Sequence, residues 1–159
     1  MKLSDKINKN TIIYPLKSTS KNDVLHELLD YFENLDYLTS TTKLFSYLSS
    51  KDKNFNSASD RGVAYHYHTS VEVQETLAVL GISKEGIDYN AADGLLCHFV
   101  LLILEPTIYP NSHRKLISLF QDLIKNPNIK SNLLELSSSE QAEKIILDWE
   151  SSDNAFDIL

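Results

Sequence analysis

Most of the chemistry this chain can offer lies in the run Arg61-Gly62-Val63-Ala64-Tyr65-His66-Tyr67-His68, with His113 further along. An imidazole changes charge near neutral pH and can act as nucleophile, proton carrier or metal ligand. In an extended strand alternate side chains share a face, so His66 and His68 point one way and Tyr67 the other. Two imidazoles on one strand face suit zinc, with Glu72 or His113 as further ligands supplied by the fold. No cysteine or third histidine lies nearby in sequence, however. The plainer reading, polar side chains on a solvated strand, is preferred, and no metal is assigned. A phenol with a pKa of about 10 makes Tyr67 a poor nucleophile at neutral pH. Tyr65, Tyr67 and Tyr109 offer an aromatic contact surface or, more commonly, packing. His98 lies in an apolar run and reads as a hydrogen-bonded core residue, while His26, beside Glu27, reads as exposed.

These residues need elements to hold them. Residues 11–16 read as a β-branched strand closed by Pro15. Ser20 then reads as an N-cap with Asp23 three positions on, followed by an apolar stripe of Val24, Leu25, Leu28, Leu29, Phe32 and Leu35. A second helix is expected over 40–50 on Leu44, Phe45 and Leu48, and a polar irregular stretch over 49–60. Residues 62–68 and 76–82 read as strands that pair as neighbours. Residues 95–104 are apolar almost throughout, as in a strand covered on both faces. Pro110 and His113 open a helix striped by Leu116, Leu119, Phe120, Leu123 and Ile124 and ended at Asn126-Pro127. A short helix over 128–136 follows. A last one starts at Ser138, with Gln141 at its third position, and buries Ala142, Ile145, Ile146 and Trp149. Helices interleaved with strands give an α/β (α+β) fold, a central sheet flanked by helices. A single domain is expected over 1–150, with an acidic tail over 151–159.

Bulk composition narrows the function classes. The 159 residues are 42% hydrophobic and 23% charged, ordinary for a globular domain that buries roughly 70% of its unfolded surface. A net charge of −7 argues against nucleic acid and anionic membrane as partners. The single cysteine, Cys97, sits in an apolar run and reads as an inert buried thiol suited to a reducing cytoplasm. The start of the chain shows no signal-peptide pattern. The longest apolar run, Phe99 to Leu104, is far short of the roughly 20 residues of a membrane span, so neither insertion nor an extracytoplasmic location is expected.

The run from Gly62 to Gly81 resembles the active-site segment of the type-2 IIA domains of the bacterial phosphoenolpyruvate:sugar phosphotransferase system, the fructose, mannitol and nitrogen-regulatory class. There the matching run reads like Gly-Val-Ala-Ile-Pro-His, and its last histidine carries the phosphoryl group. Other segments agree in order. Ile12 to Leu16 and Ser20 to Leu29 look like the first strand and helix. Gly81-Ile82-Ser83-Lys84-Glu85-Gly86-Ile87-Asp88-Tyr89 looks like the family's "G-x-S-x-x-G-I-D-F/Y" segment. Asp93-Gly94, Leu95 to Leu104 and Glu105-Pro106 look like the turn, buried strand and exit, and His113 like a second histidine. The resemblance implies a mixed sheet between helical layers. It also implies a phosphohistidine relay without a cofactor, and the histidine phosphocarrier protein or another regulatory protein as partner.

Aligned without a gap, this chain has His66 at the proline position and Tyr67 at the acceptor position. The second histidine is kept as His113. The family's arginine, 16 residues before the acceptor, is replaced by Lys51, which keeps the charge and loses the bidentate fork. The glycine-rich donor loop becomes Phe55-Asn56-Ser57-Ala58-Ser59-Asp60-Arg61-Gly62. Here Ser57, Ser59 and Arg61 join Lys51 as candidate phosphate ligands, and Asp60 adds a negative charge that Arg61 can offset. His66 or His68 can stand in for the lost acceptor only if a bulge or turn rotates the strand. Two functions follow: a regulator of nitrogen-regulatory type that acts by binding a protein, or a phosphocarrier that uses His66 or His68 with His113. A stand-alone IIA domain, without attached IIB or IIC segments, is what the resemblance associates with regulation. Oligomeric state and sugar specificity are left open.

Overall fold

The computed structural model describes residues 1–54, 56–59 and 61–158, with side chains placed for all of these but 54 and 153–158. A 3-10 turn, Leu3–Asp5, precedes β1 (Ile12–Ile13), α1 (Lys21–Asn34), α2 (Thr42–Asn54), β2 (Val63–Thr69), β3 (Leu77–Ile87), β4 (Cys97–Glu105), α3 (Ser112–Ile124), α4 (Pro127–Leu134) and α5 (Ser139–Ile158). The sheet is mixed, in the order β1-β3-β4-β2: β1 runs parallel to β3, β3 antiparallel to β4, and β4 parallel to β2.

The strand order corrects one expectation. Residues 62–68 and 76–82 do not pair, because β4 lies between them. The reason is burial. Eight of the nine residues of β4 are buried, which places it in the sheet interior, whereas β2 becomes steadily more exposed from Tyr67 onward and takes the edge. The strand expected over 11–16 pairs only at Ile12–Ile13.

Helices cover both faces. On one face Leu116, Phe120 and Leu123 of α3, Leu133 of α4 and Ala142 and Ile146 of α5 pack against Tyr65, Phe99, Leu101 and Ile103. On the other, Val24, Leu25, Leu28 and Phe32 of α1 and Leu44 and Leu48 of α2 pack against Ala64, Val100, Leu102 and Leu104. Ser20 caps α1 as its pattern predicts, its side chain accepting from the Asp23 amide at 3.3 Å. α5 continues through Ile158, into the segment read as an acidic tail, and Leu159 lies outside the described residues.

Candidate functional site

The register of β2 on β4 is continuous from Val63↔Phe99 to Thr69↔Glu105, with no bulge. The strand therefore alternates regularly. Tyr65 and Tyr67 face the α3 side, packed with that core, and Ala64 faces α1 and α2. His66 and His68 follow Ala64 onto the second face. The Tyr67 ring lies flat on the imidazole of His113, with centroids 4.0 Å apart and planes within 6°. Lys51 Nζ stands 3.6 Å from the centre of the same ring and donates to the Tyr67 carbonyl at 3.1 Å. An ammonium and an imidazole this close cannot share one face of a phenol ring, so Tyr67 is clamped between them. Stacking and cation–π contacts of this kind contribute about 0.5–2 kcal/mol each.

The clamp follows from local sequence. Lys51 sits one helical turn beyond Leu48, which is buried against the sheet, so its side chain leaves α2 on the sheet-facing side. Its ammonium is pulled below the ordinary lysine value by burial, with the Glu105 carboxylate working against that shift. Glu105 ends β4 and is only 1% exposed. Its carboxylate accepts from His113 Nδ1 at 2.8 Å, from the His113 amide at 2.8 Å and from Ser112 Oγ at 3.0 Å. α3 begins here without a side-chain cap from its own N-cap residue, Asn111, so the strand's carboxylate satisfies an amide of the helix's first turn. Ser112 Oγ also shares a 2.6 Å hydrogen bond with Thr76 Oγ1.

His66 points to the opposite face of β2 from Tyr67, into the wall of the cleft that Lys51 also lines. Against the expectation of a polar side chain on a solvated strand, it is 4% exposed, because α2 and the loop before β2 cover this face, and its two nitrogens are engaged by Tyr89 Oη at 2.9 Å and Ser57 Oγ at 3.2 Å. Burial pushes its pKa down to about 4, so it is neutral at physiological pH. His68, on the same face, stacks on Tyr47 with centroids 5.4 Å apart, and burial and Lys51 lower its pKa. Neither ring shares a hydrogen bond with His113. Among the described residues no group of three His, Cys, Asp or Glu is placed to hold a metal ion, and Glu72 instead accepts from Thr39 Oγ1 at 3.1 Å.

The loop before β2 folds back on its edge. Its amides are engaged internally: Ser57 N–H with Asp52 Oδ1 at 2.9 Å, Ala58 N–H with Asn56 Oδ1 at 3.0 Å, and Ser59 N–H with the Val63 carbonyl at 2.7 Å. Asp52 in turn accepts from Lys21 Nζ at 2.8 Å. Burial raises the Asp52 pKa, but the bonds from Lys21 and Ser57 outweigh it and hold the carboxyl below its usual value. A cleft of about 310 Å³ remains between this loop, Lys51, Tyr67 and Ile117 of α3. Ser57 and Ser59 line it, and Arg61 does not. The Arg61 backbone stands at the opposite end of β2, donating to Asp93 Oδ2 at 3.1 Å and accepting from Lys130 Nζ at 2.6 Å. Its neighbours Tyr65, Gln121 and Lys125 border a different cleft. Phe55 and Asp60 lie outside the described residues.

The fold thus brings Lys51, Tyr67 and His113 together, places Ser57 and Ser59 at the rim, sets His66 in the wall of the same cleft with its nitrogens engaged and His68 on the other face of β2 from Tyr67, and leaves Arg61 at the far end of that strand. Glu105, Asp52 and Tyr89 were not singled out from sequence as site residues. For Glu105 the available signal was a lone carboxylate closing an apolar strand. His98 is half-buried, with Nδ1 donating to the Ser83 carbonyl at 2.9 Å, and His26 is exposed and stacked on Phe45. Cys97 is buried, and burial pushes its thiol up to about 11.

A mixed four-stranded sheet between helical layers is an architecture shared with IIA domains. The sequence profile described as "Phosphoenolpyruvate-dependent sugar phosphotransferase system, EIIA 2" matches residues 5–149, and the chain belongs to this family. It is 24% identical over 146 residues to the fructose-specific EIIABC component of Bacillus subtilis (strain 168), covering 92% of this chain and 23% of that protein. The chain thus spans about a quarter of the length of that relative. In fold it is similar to the nitrogen regulatory protein IIA-Ntr of Neisseria meningitidis (19% identity, TM-score 0.74, covering 91% of this chain and 98% of that one). It is equally similar to IIA mannitol of Escherichia coli (15% identity, TM-score 0.74, 89% and 99% covered). The Escherichia coli complex of enzyme IIA mannitol with phosphorylated enzyme IIB mannitol also matches (14% identity, TM-score 0.74, 90% and 98% covered), so a domain of this fold has been seen docked on a phosphorylated partner. Among the described residues no helix is long and apolar enough to cross a membrane.

Proposed function

We propose that this chain is a regulatory IIA protein of nitrogen-regulatory type, which acts in the cytoplasm by binding a protein partner and does not relay phosphoryl groups through position 67. The observation that carries this reading is the Tyr67 ring stacked on His113 where the resemblance puts the acceptor imidazole. A phenol is a weak nucleophile at neutral pH, and its phosphoester lacks the transfer potential of a phosphoimidazole. The engaged amides of Ser57, Ala58 and Ser59 support the same reading, because transfer needs donors aimed at the equatorial phosphoryl oxygens. The partner is the histidine phosphocarrier protein or another protein of the same system.

The second reading, a phosphocarrier working through His66 or His68 with His113, would require one of these rings to reach the Tyr67 face. The regular register of β2 and the two partners of His66 weigh against it. Titration of the isotope-labelled chain with unphosphorylated histidine phosphocarrier protein and, separately, with a mannitol-type IIB domain tests the proposal. Saturable shifts centred on Tyr67, His68 and His113 with at least one of them are expected. Binding to neither would overturn it.

A further inference from the structure

We infer that His113 is itself a phosphorylation site, accepting a phosphoryl group on Nε2 from a phosphohistidine of a protein partner. The inference rests on the reading above that this surface meets such a partner. It goes beyond that reading by giving the regulator a covalent mark at a residue other than position 67.

A carboxylate only accepts, so the 2.8 Å contact between Glu105 and His113 Nδ1 requires the proton on Nδ1. That fixes the tautomer and leaves the lone pair on Nε2, the form of imidazole that attacks phosphorus. Among the described residues Nε2 has no hydrogen-bond partner, whereas both nitrogens of His66 are engaged. The side chain of His113 is 13% exposed, so the ring is held by the fold but not sealed off. The Tyr67 stack covers a face of the ring, while the Nε2 lone pair lies in the ring plane, so the stack fixes the ring without blocking the line of attack.

In the transfer, the Nε2 lone pair forms the new N–P bond as the donor's N–P bond breaks, and that electron pair returns to the donor imidazole. His113 keeps its Nδ1 proton throughout, and the Glu105 carboxylate offsets the positive charge that develops on the ring. Lys51 stands across the Tyr67 ring from His113 and adds a positive charge to the cluster. Glu105 is a positioning residue here, because it acts through the tautomer of His113.

The test uses the full chain with phosphoenolpyruvate, enzyme I and the histidine phosphocarrier protein, beside an ordinary IIA domain as a positive control. Intact mass is read at alkaline pH, and phosphorus–nitrogen correlation spectra locate the bond in the wild type. One acid-labile phosphoryl group on His113 Nε2 is expected, retained in His66→Ala/His68→Ala and lost in His113→Gln. Because the site is assigned on the wild-type chain, a poorly folded variant does not decide the outcome. No added group while the control is labelled, or a group on His66, His68 or His113 Nδ1, would overturn the inference. A chain that binds the carrier but gains no phosphoryl group sinks the inference and leaves the regulatory reading standing; one that binds no partner sinks that reading itself.

Discussion

The ring of Tyr67 lies 4.0 Å from the imidazole of His113 and within 6° of parallel to it, with Lys51 above the phenol. A phenol, a weak nucleophile at neutral pH, therefore occupies the centre of a cluster whose other parts are an imidazole, a cation and a buried carboxylate.

Restoring the imidazole alone should not restore transfer. In Tyr67→His the new ring still faces a loop whose Ser57, Ala58 and Ser59 amides bond within the protein. Onward transfer to a IIB domain should stay at least tenfold below that of an ordinary IIA domain, since losing a single oriented donor costs about 10²–10³ in rate in other enzymes. Rates within threefold of the ordinary domain would show that the loop donors do not matter.

Glu105→Gln should be costly despite its similar shape. Glu105 accepts from the His113 ring, the His113 amide and Ser112, and a carboxamide has one oxygen to serve them. A loss of about 1–3 kcal/mol is expected in urea denaturation. Nitrogen chemical shifts of His113 should also move away from the Nδ1–H tautomer. Unchanged nitrogen shifts would remove Glu105 from its positioning role.

How far this was legible in the sequence differs from residue to residue. The alternation of His66, Tyr67 and His68 came from strand geometry, because the pleat is local. The helical stripes and the Ser20 cap were legible for the same reason, except that Leu35 lies past the end of α1 and is exposed, and that α2 runs on to Asn54 through residues read as irregular. The strand order was not: two sequential strands pair by default, and only the burial of β4 on both faces shows that it separates β2 from β3. Lys51 and His113 were placed near Tyr67 by family resemblance. Spacing alone could not do so, since α2, β2 and α3 meet only through tertiary packing. The engagement of the loop amides left no trace in residue types, for Ser57 and Ser59 read equally well as phosphate ligands. Glu105 looked like the end of a strand because its partner arrives eight residues later, on a helix.

The buried His66 should make stability depend on pH. Burial holds its pKa near 4 in the folded chain, below the ordinary 6.5 that applies when unfolded. The unfolded chain therefore takes up the proton first as pH falls. Stability present in full above about pH 6.5 should decline by up to about 3 kcal/mol on the way to pH 4. Asp52, held below its usual value, adds a loss of the same sign at still lower pH. Denaturation curves at pH 7 and 4.5 should differ for the wild type and converge for His66→Leu. An equal pH dependence in both would exclude His66 as its source.

Two glycines before the buried strands separate backbone conformation from crowding. Gly62 has φ +77°, and a Cβ there would lie 2.9 Å from the Leu96 carbonyl oxygen, whereas Gly94, at φ +74°, faces open space. Gly94→Ala should cost about 1 kcal/mol, and Gly62→Ala clearly more, since backbone must shift. Equal melting temperatures for the two variants would contradict the close approach at Gly62.

The most direct measurement follows a labelled phosphoryl group from phosphoenolpyruvate, through enzyme I and the histidine phosphocarrier protein, to a mannitol-type IIB domain, with this chain as the only IIA component present. No phosphorylated IIB above the level seen without the chain is expected, while an ordinary IIA domain in its place labels IIB fully. Phosphorylated IIB formed by the wild-type chain at a comparable rate would contradict that expectation, and would make this protein a working relay despite Tyr67.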